Sequence, residues 1–376
     1  GRAAPRPLAH SRFYERYLYD KHGLRSRAKL RRRYHVLSQN CEDASARGRV
    51  YGFVRGSLIR LAGDGRDTRV GAGMALFFGR SAYLSRDFKQ QNVALGVLHL
   101  FAASGLHLGL LYGCLYLPLG RWWGRRHPAA LAVPLAPCLC YVALLGFPVS
   151  LSRAFLFCCF FALQSVVHRR LLVRELLLNT ALVTLLLFPE RFFSAGAALC
   201  FGAVSGILWY YPVLERLLRS RRRVFNWLVA QTAVSTAAGL LTIPVLAFAF
   251  GHYAWWSLPA NLLLVPLVGV LLPLYYAGLA VAWLSGWSFA LWPAWWGLSL
   301  FALLSDSLAA LRALMPETSL LWPPLFLNFA LLALLVCERR RPREESPPAG
   351  RRLAVWIGIA LLGPAGSLLW TGFTRL

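Results

Sequence analysis

The sequence predicts an all-α membrane protein, a polytopic bundle of transmembrane helices with broken or re-entrant elements behind a short basic extramembrane N-terminal region. Three observations carry this. Hydrophobic residues fill 57% of the 376 positions and mean hydropathy is +0.51, outside the range of a soluble domain. Apolar runs near the roughly 20 residues that cross a bilayer recur from residue 93 onward. Compact arginine clusters separate them, as in loops held on the cytoplasmic side. The 14 tryptophans suit rings anchored at headgroup level.

In chain order, residues 1–50 form a polar, basic region that includes Arg31, Arg32 and Arg33, and reads as the remnant of an external domain. Residues 51–92 read as an amphipathic external lead-in, short helices lying on the membrane around a turn at Gly63-Asp64-Gly65. Residues 93–376 form the membrane domain. Crossings are expected at 93–117, 129–146, 150–167, 175–189, 194–211, 227–250, 258–284, 288–314, 318–337 and 353–370. The span 258–284 holds Pro259, Pro266 and Pro273. Because proline removes a backbone donor and kinks a helix, that span is expected to be broken or re-entrant.

Orientation follows from four basic clusters: Arg121, Arg125 and Arg126; Arg169, Arg170 and Arg174; Arg216, Arg219 and Arg221 to Arg223; and Arg339 to Arg341, Arg343, Arg351 and Arg352. Two, two and four crossings separate successive clusters, so all four fall on one side, the cytoplasmic one. One further crossing places residues 1–92 outside. Gly1 in place of a Met, with no apolar leader, predicts a piece of a longer protein. The net charge of +26 rests almost wholly on Arg, since Lys occurs only at Lys21, Lys29 and Lys89. Such an excess serves loop anchoring, anionic lipid contact or handling of a polyanion.

The first span, VALGVLHLFAASGLHLGLLYGCLYL, sets His99, Ser104, Gly105 and His107 in an apolar run. Polar groups at membrane depth face a protein interior or a watery cavity, and Gly105 marks a helix break tolerated only where other elements satisfy the backbone. On one straight helix His99 and His107 would stand about 80° apart. They read as pore lining or as a packed polar network. No carboxylate or Cys at useful spacing supports a metal, and no acid is placed to orient a Ser–His nucleophile. The eight cysteines, among them Cys138, Cys140, Cys158 and Cys159, read as small core residues. No metal and no cofactor are expected.

Arg153 opens another apolar run. At a helix centre an Arg costs about +2.5 to 3.5 kcal/mol; near an end it snorkels, and it can grip phosphate with two parallel hydrogen bonds. Gln164, Asn179, Gln231 and Asn261 add neutral polar groups that either bond between helices or line a path. Asp306 is the acid well inside an expected crossing. The pairs Trp255-Trp256 and Trp295-Trp296 read as interface anchors, with base stacking as the alternative.

Three segments carry a resemblance. HLFAASGLHLGLL (99–111), GFPVSLSRAFL (146–156) and TIPVLAFAFGHYAWWSLPANLLLVPLVGVLLP (242–273) resemble, in order, segments of the ComEC family, the inner-membrane channel for DNA uptake in natural competence. The preceding FGRSAYLSRDFKQQNVALGVL is similar to that family's lead-in, and the match covers roughly residues 70–285. Where many members carry Gln and Ser, this chain reads GAALCF (196–201), which departs from a polar lining there. Typical members also carry an external oligonucleotide-binding-type domain and a metallo-β-lactamase-like domain. The sequence holds no HxHxDH-type motif, so strand degradation is not expected of it.

The resemblance implies import of single-stranded DNA across a bacterial inner membrane, without enzymatic chemistry. The proposed DNA path comprises His99, Ser104, Gly105, His107, Arg153, Gln164, Gln231 and Asn261, with helix breaks at Gly105, Pro259, Pro266 and Pro273. Implied partners are single-stranded DNA, membrane lipids, a DNA receptor, a cytoplasmic translocation ATPase and a second copy of the chain. No P-loop is present, so the driving force comes from elsewhere. The alternative reading is a secondary transporter for a small anionic solute, which also uses broken helices; few buried acids are available for ion coupling. A membrane-embedded enzyme on lipid-linked substrates would need a convergent acid–base set, which the sequence does not offer.

Overall fold

The structure, a computed structural model, describes residues 46–166, 172–219, 223–251, 254–314, 322–339 and 349–362. The basic region 1–45, Arg169 and Arg170, Arg221 and Arg222, and the outer parts of the spans expected at 318–337 and 353–370 lie outside the described residues. The chain divides into two units, Gly1–Gly56 and Ser57–Leu376. The first contributes the start of helix α1 (Ala46–Ala62); the second holds every other described element.

Every regular element among the described residues is helical. After α1 come α2 (Thr68–Phe78), α3 (Arg86–Ala94), α4 (Gly105–Trp123), α5 (Pro128–Ala132), α6 (Leu135–Leu144), α7 (Val149–Val166) and α8 (Val173–Leu187). The series continues with α9 (Pro189–Phe192), α10 (Ala195–Leu218), α11 (Arg223–Phe250), α12 (Ser257–Ser285), α13 (Trp292–Ala313), α14 (Trp322–Arg339) and α15 (Ala349–Leu361). Four stretches are long and apolar enough to cross a membrane: Ala195–Leu218, Phe225–Phe250, Ser257–Ser285 and Ser288–Ala313. The stretches Pro128–Leu144, Val149–Gln164 and Pro324–Glu338 are apolar but shorter.

Helices α10 and α11 approach almost backbone to backbone. A Cβ at Gly206 would stand 2.1 Å from the Ala237 carbonyl oxygen, and one at Gly202 would stand 3.4 Å from that of Leu241. Small residues allow this, since lipid gives apolar side chains no hydrophobic reason to associate and packing must supply the attraction. Below the seam, Leu214, Leu217, Leu218 and Val229 join Leu331 and Leu335 of α14 and Val355 of α15 in one buried cluster. At that end Arg216 pairs with the buried Glu338 at 3.2 Å, which brings the end of α10 against the end of α14.

The expected break in 258–284 does not occur: α12 is one continuous helix of 29 residues, about 43 Å long. Pro259 falls in its first turn, where backbone N–H groups need no intrahelical acceptor. Pro266 and Pro273 lie inside and leave the carbonyls of Leu262 and Gly269 without their usual donors. Membrane helices tolerate such prolines because neighbouring groups and local adjustments meet the freed carbonyls.

The lead-in 51–92 also differs from expectation. The turn after Gly63 is present, but α2 is no surface helix: seven of its eleven residues are buried. Its small residues permit close approach, since a Cβ at Gly73 would meet Leu58 at 2.9 Å and Leu298 at 3.2 Å. Arg60 Nε donates to Ser288 Oγ at 2.8 Å, Arg69 Nη1 to Ser299 Oγ at 3.0 Å, and Gln91 Nε2 to Asp306 Oδ1 at 2.7 Å. Residues 57–94 thus run alongside α13 from one of its ends towards the other. Arg60 sits at the α12–α13 connection, the end of the bundle that carries Arg216, so residues 57–94 extend from that end towards the other. Sequence reading missed this because α2 is short and its partners lie more than two hundred positions away.

Asp67 fixes the entry to α2. It accepts the Arg69 N–H at 2.7 Å and the Arg69 Nε at 3.0 Å, and the Arg69 guanidinium lies 4.3 Å from the Trp295 ring centre. The side-chain hydrogen bond from Arg69, helped by the backbone bond and by its charge, holds the Asp67 carboxyl below the usual range in spite of partial burial. A depressed folded pKa contributes stability that is present above the unfolded value of about 3.9 and lost as pH falls through the folded one. Hydrogen exchange across α2 is therefore expected to be equal at pH 7 and pH 5 after correction for intrinsic rates, and to accelerate below about pH 4. Asp67→Asn should remove that acid-dependent step. At the α10–α11 seam, Gly206→Val should lower stability in detergent by about 1–3 kcal/mol. Gly109→Ala, with nothing within 4 Å of the added carbon, should stay within about 0.5 kcal/mol of the parent in the same thermal melts.

Candidate functional site

The first expected crossing, 93–117, is broken. Helix α3 stops at Ala94, a 3-10 turn covers Leu98–Phe101, and α4 starts at Gly105. Leaving a helix inside an apolar bundle strands backbone groups that must find partners. Here Gly96 N–H bonds the Val93 carbonyl at 3.0 Å, Val97 N–H that of Asn92 at 3.0 Å, and Ala102 N–H that of His99 at 3.2 Å. Ala103 N–H reaches across to the Gly79 carbonyl at 3.2 Å. Gly79 ends α2 at φ +60°, and a Cβ there would stand 2.3 Å from the Ala103 Cβ. Only glycine both turns the chain and allows that approach.

His99 and His107 therefore do not share a helix. His99 lies exposed on the 3-10 turn with Nδ1 3.1 Å from the Gly96 carbonyl, while His107 is fully buried in the first turn of α4. Ser104, at the N-cap position, places its Oγ 2.9 Å from His107 Nδ1. His107 Nε2 is buried without a hydrogen-bond partner. Of the expected path residues, Ser104 and His107 are bonded to each other. Among the described residues no group of His, Cys, Asp or Glu is placed to hold a metal ion.

Gly105 faces Ala154, where an added Cβ would stand 3.7 Å from that side chain. The neighbouring Arg153 is 3% exposed. Its Nη2 donates to the Gly196 carbonyl at 3.0 Å and more weakly to Ser150 Oγ at 3.4 Å, and its guanidinium carbon lies 5.2 Å from the Phe201 ring centre. Nε and Nη1 are buried without a hydrogen-bond partner, and among the described residues no carboxylate pairs with the group. A buried cation held by one carbonyl, one hydroxyl and a ring face is a strong attractor for an anion. Gly196 and Phe201 belong to GAALCF, the segment that departs from the family's Gln and Ser. Its contribution is a backbone carbonyl and a ring instead of polar side chains.

Asn261, near the start of α12, carries a buried Oδ1 without a partner. It belongs to the same end of the bundle, because Gly96 packs on Ala254 and Ser257 there. Gln164 and Gln231 are half-buried towards the other end, Gln164 about 16 Å along α7 from Arg153. Asp306 is exposed and capped by Gln91, with Asn92 and Ser305 bonded beside it at 3.3 Å. The end that carries Ser104, His107 and Arg153 is thus free of acids in contact with them.

These features define a class: a polytopic α-helical membrane protein with an uncompensated buried arginine and a chain break at one end of its bundle. The chain belongs to the competence protein family, whose model, described as "Competence protein", matches residues 76–341. It is 28% identical over 262 residues to ComE operon protein 3 of Bacillus subtilis (strain 168), covering 67% of this chain and 31% of that protein. The chain therefore spans about a third of the length of this curated relative. No solved structure matches it.

Removing the Ser104 hydroxyl strands a buried ring nitrogen, so Ser104→Ala should destabilise by about 1–3 kcal/mol. In a double-mutant cycle read by thermal melting, Ser104→Ala should cost much less once His107→Ala is present. Additive losses would mean that the 2.9 Å contact carries no energy.

Proposed function

We propose that this chain is the membrane-spanning part of a DNA-uptake protein, passing single-stranded DNA from the outer to the cytoplasmic face of a bacterial inner membrane. The observation that carries it is Arg153, a buried guanidinium with two unused nitrogens and no carboxylate partner among the described residues. A phosphodiester supplies the missing acceptors in a form matched to the planar fork. Membership of the competence family supports the same substrate. The arginine-rich end, where Arg216 meets Glu338, faces the cytoplasm on this reading, and the Gly105–Arg153 end receives the strand.

The chain's own groups act on the strand in a defined order. The break between α3 and α4 opens the bundle at its receiving end. Arg153 exchanges the Gly196 carbonyl for a phosphate oxygen, and its fixed positive charge offsets the cost of bringing that phosphate out of water. Asn261 then offers a neutral amide, and Gln231 and Gln164 offer amides nearer the far end. These hold phosphate weakly, so the strand moves on. Pulling belongs to a partner, a cytoplasmic translocation ATPase, with a DNA receptor delivering the strand; membrane lipids and a second copy of the chain complete the proposed partners.

The test is entry of fluorescent DNA into a competent host that lacks its own channel. The parent chain should restore cytoplasmic DNA. Arg153→Met, which keeps the volume and removes the stranded charge, should melt no lower than the parent and reduce entry at least tenfold. Unchanged entry with Arg153→Met would remove that residue from the route. Saturable uptake of a small anion without DNA entry would favour the transporter reading.

A further inference from the structure

Between the left-handed end of α2 and the 3-10 turn at Leu98–Phe101 lies an open pocket of about 440 Å3. Its wall begins at Gly79, whose positive φ turns the chain away from α2. Ala82, Leu98 and Ala102 line it with apolar side chains, and Arg80, Ser81 and His99, which carry a guanidinium, a hydroxyl and an imidazole, line the rest. No carboxylate lines it. The volume falls within the range of small-ligand sites, which pair an apolar body with a few polar groups.

The polar groups share one chemistry. Arg80 and His99 are exposed, and among the described residues neither has a carboxylate partner. The Arg80 backbone N–H is already used by the Ala75 carbonyl at 3.2 Å, which holds the residue in place without engaging its guanidinium. His99 Nδ1 is held by the Gly96 carbonyl at 3.1 Å, leaving Nε2 as the uncommitted ring nitrogen. A guanidinium, a hydroxyl and an imidazole around one opening suit a phosphate. The apolar side chains beside them suit the face of a base, which a bare inorganic anion would leave unused.

We infer that this pocket holds one nucleotide of the incoming strand, with its phosphate against Arg80, Ser81 and His99 and its base on Leu98, Ala82 and Ala102. The assignment rests on the reading of the chain as a DNA-uptake protein. It adds a receiving site upstream of Arg153 on the same end of the bundle, joined to the path through the Gly79–Ala103 contact and Ser104. The strand is seated on three mixed groups before it meets the buried cation.

Binding measured on the purified full chain in detergent separates this from transport. Thymidine monophosphate, thymidine and inorganic phosphate are titrated in parallel. Thymidine monophosphate should bind at least tenfold more tightly than either of the other two. Arg80→Ala should weaken it about tenfold or more, whereas Arg66→Ala, at an exposed arginine away from the pocket, should not. Ala82→Trp, which fills the pocket without removing a charge, should abolish binding while thermal melting confirms a folded chain; it also serves if Arg80→Ala does not fold. Equal binding by parent and Ala82→Trp, or inorganic phosphate binding as tightly as the nucleotide, would overturn the assignment. Nucleotide binding that depends on Arg80, in a chain that restores no DNA entry, would keep the pocket and reject the transport reading.

Discussion

The contact between Gly79 and Ala103 is the constraint on which the rest of the site depends. A chain that leaves helical structure twice within an apolar bundle, once after α2 and once before α4, must pair the groups it frees. The Ala103 N–H to Gly79 carbonyl bond at 3.2 Å ties the two departures to each other. The Tyr141 hydroxyl, bonded to the Phe77 carbonyl at 2.6 Å, ties the first of them to α6. With the two breaks stitched, α4 can begin at Gly105 beside α7, and His107 can turn inward under Ser104. A side chain at position 79 would separate the strands of this stitch and with them every residue that surrounds the pocket.

The polar groups differ in how fully they are paired. The Ser104–His107 pair is local to the start of α4, whereas the Asn92–Ser305 pair joins α3 to α13. Arg153 carries two buried nitrogens and Asn261 a buried oxygen without a partner, and His107 keeps one unpartnered ring nitrogen even within its pair.

Much of the architecture was legible because membrane-length apolar runs and arginine clusters are local patterns. The break at 95–104 was legible too, from Gly and Ser beside two histidines in an otherwise apolar run. The prolines of α12 misled: Pro259 sits where a donor is not needed, and the cost of Pro266 and Pro273 is met by neighbours that a one-dimensional pattern does not display. The buried course of α2 was hidden for a related reason, since eleven residues of small and apolar side chains read alike on a surface and against α13. Arg153 could be picked out as an anomaly, but its partners come from Gly196 and Phe201, more than forty positions on. Arg80 gave no signal at all, because an arginine in a polar stretch is ordinary until a pocket forms around it.

The near-contact of Gly206 with the Ala237 backbone has a mechanical consequence. Helices that meet backbone to backbone have little side-chain padding to compress, so α10 and α11 form the stiff member of the bundle. The Gly196 carbonyl that holds Arg153 is mounted on α10, whereas the arginine itself rides on α7, whose run of Phe, Leu and Cys packs through larger side chains. The bond between them therefore joins a helix in close backbone contact with its neighbour to one that packs through side chains.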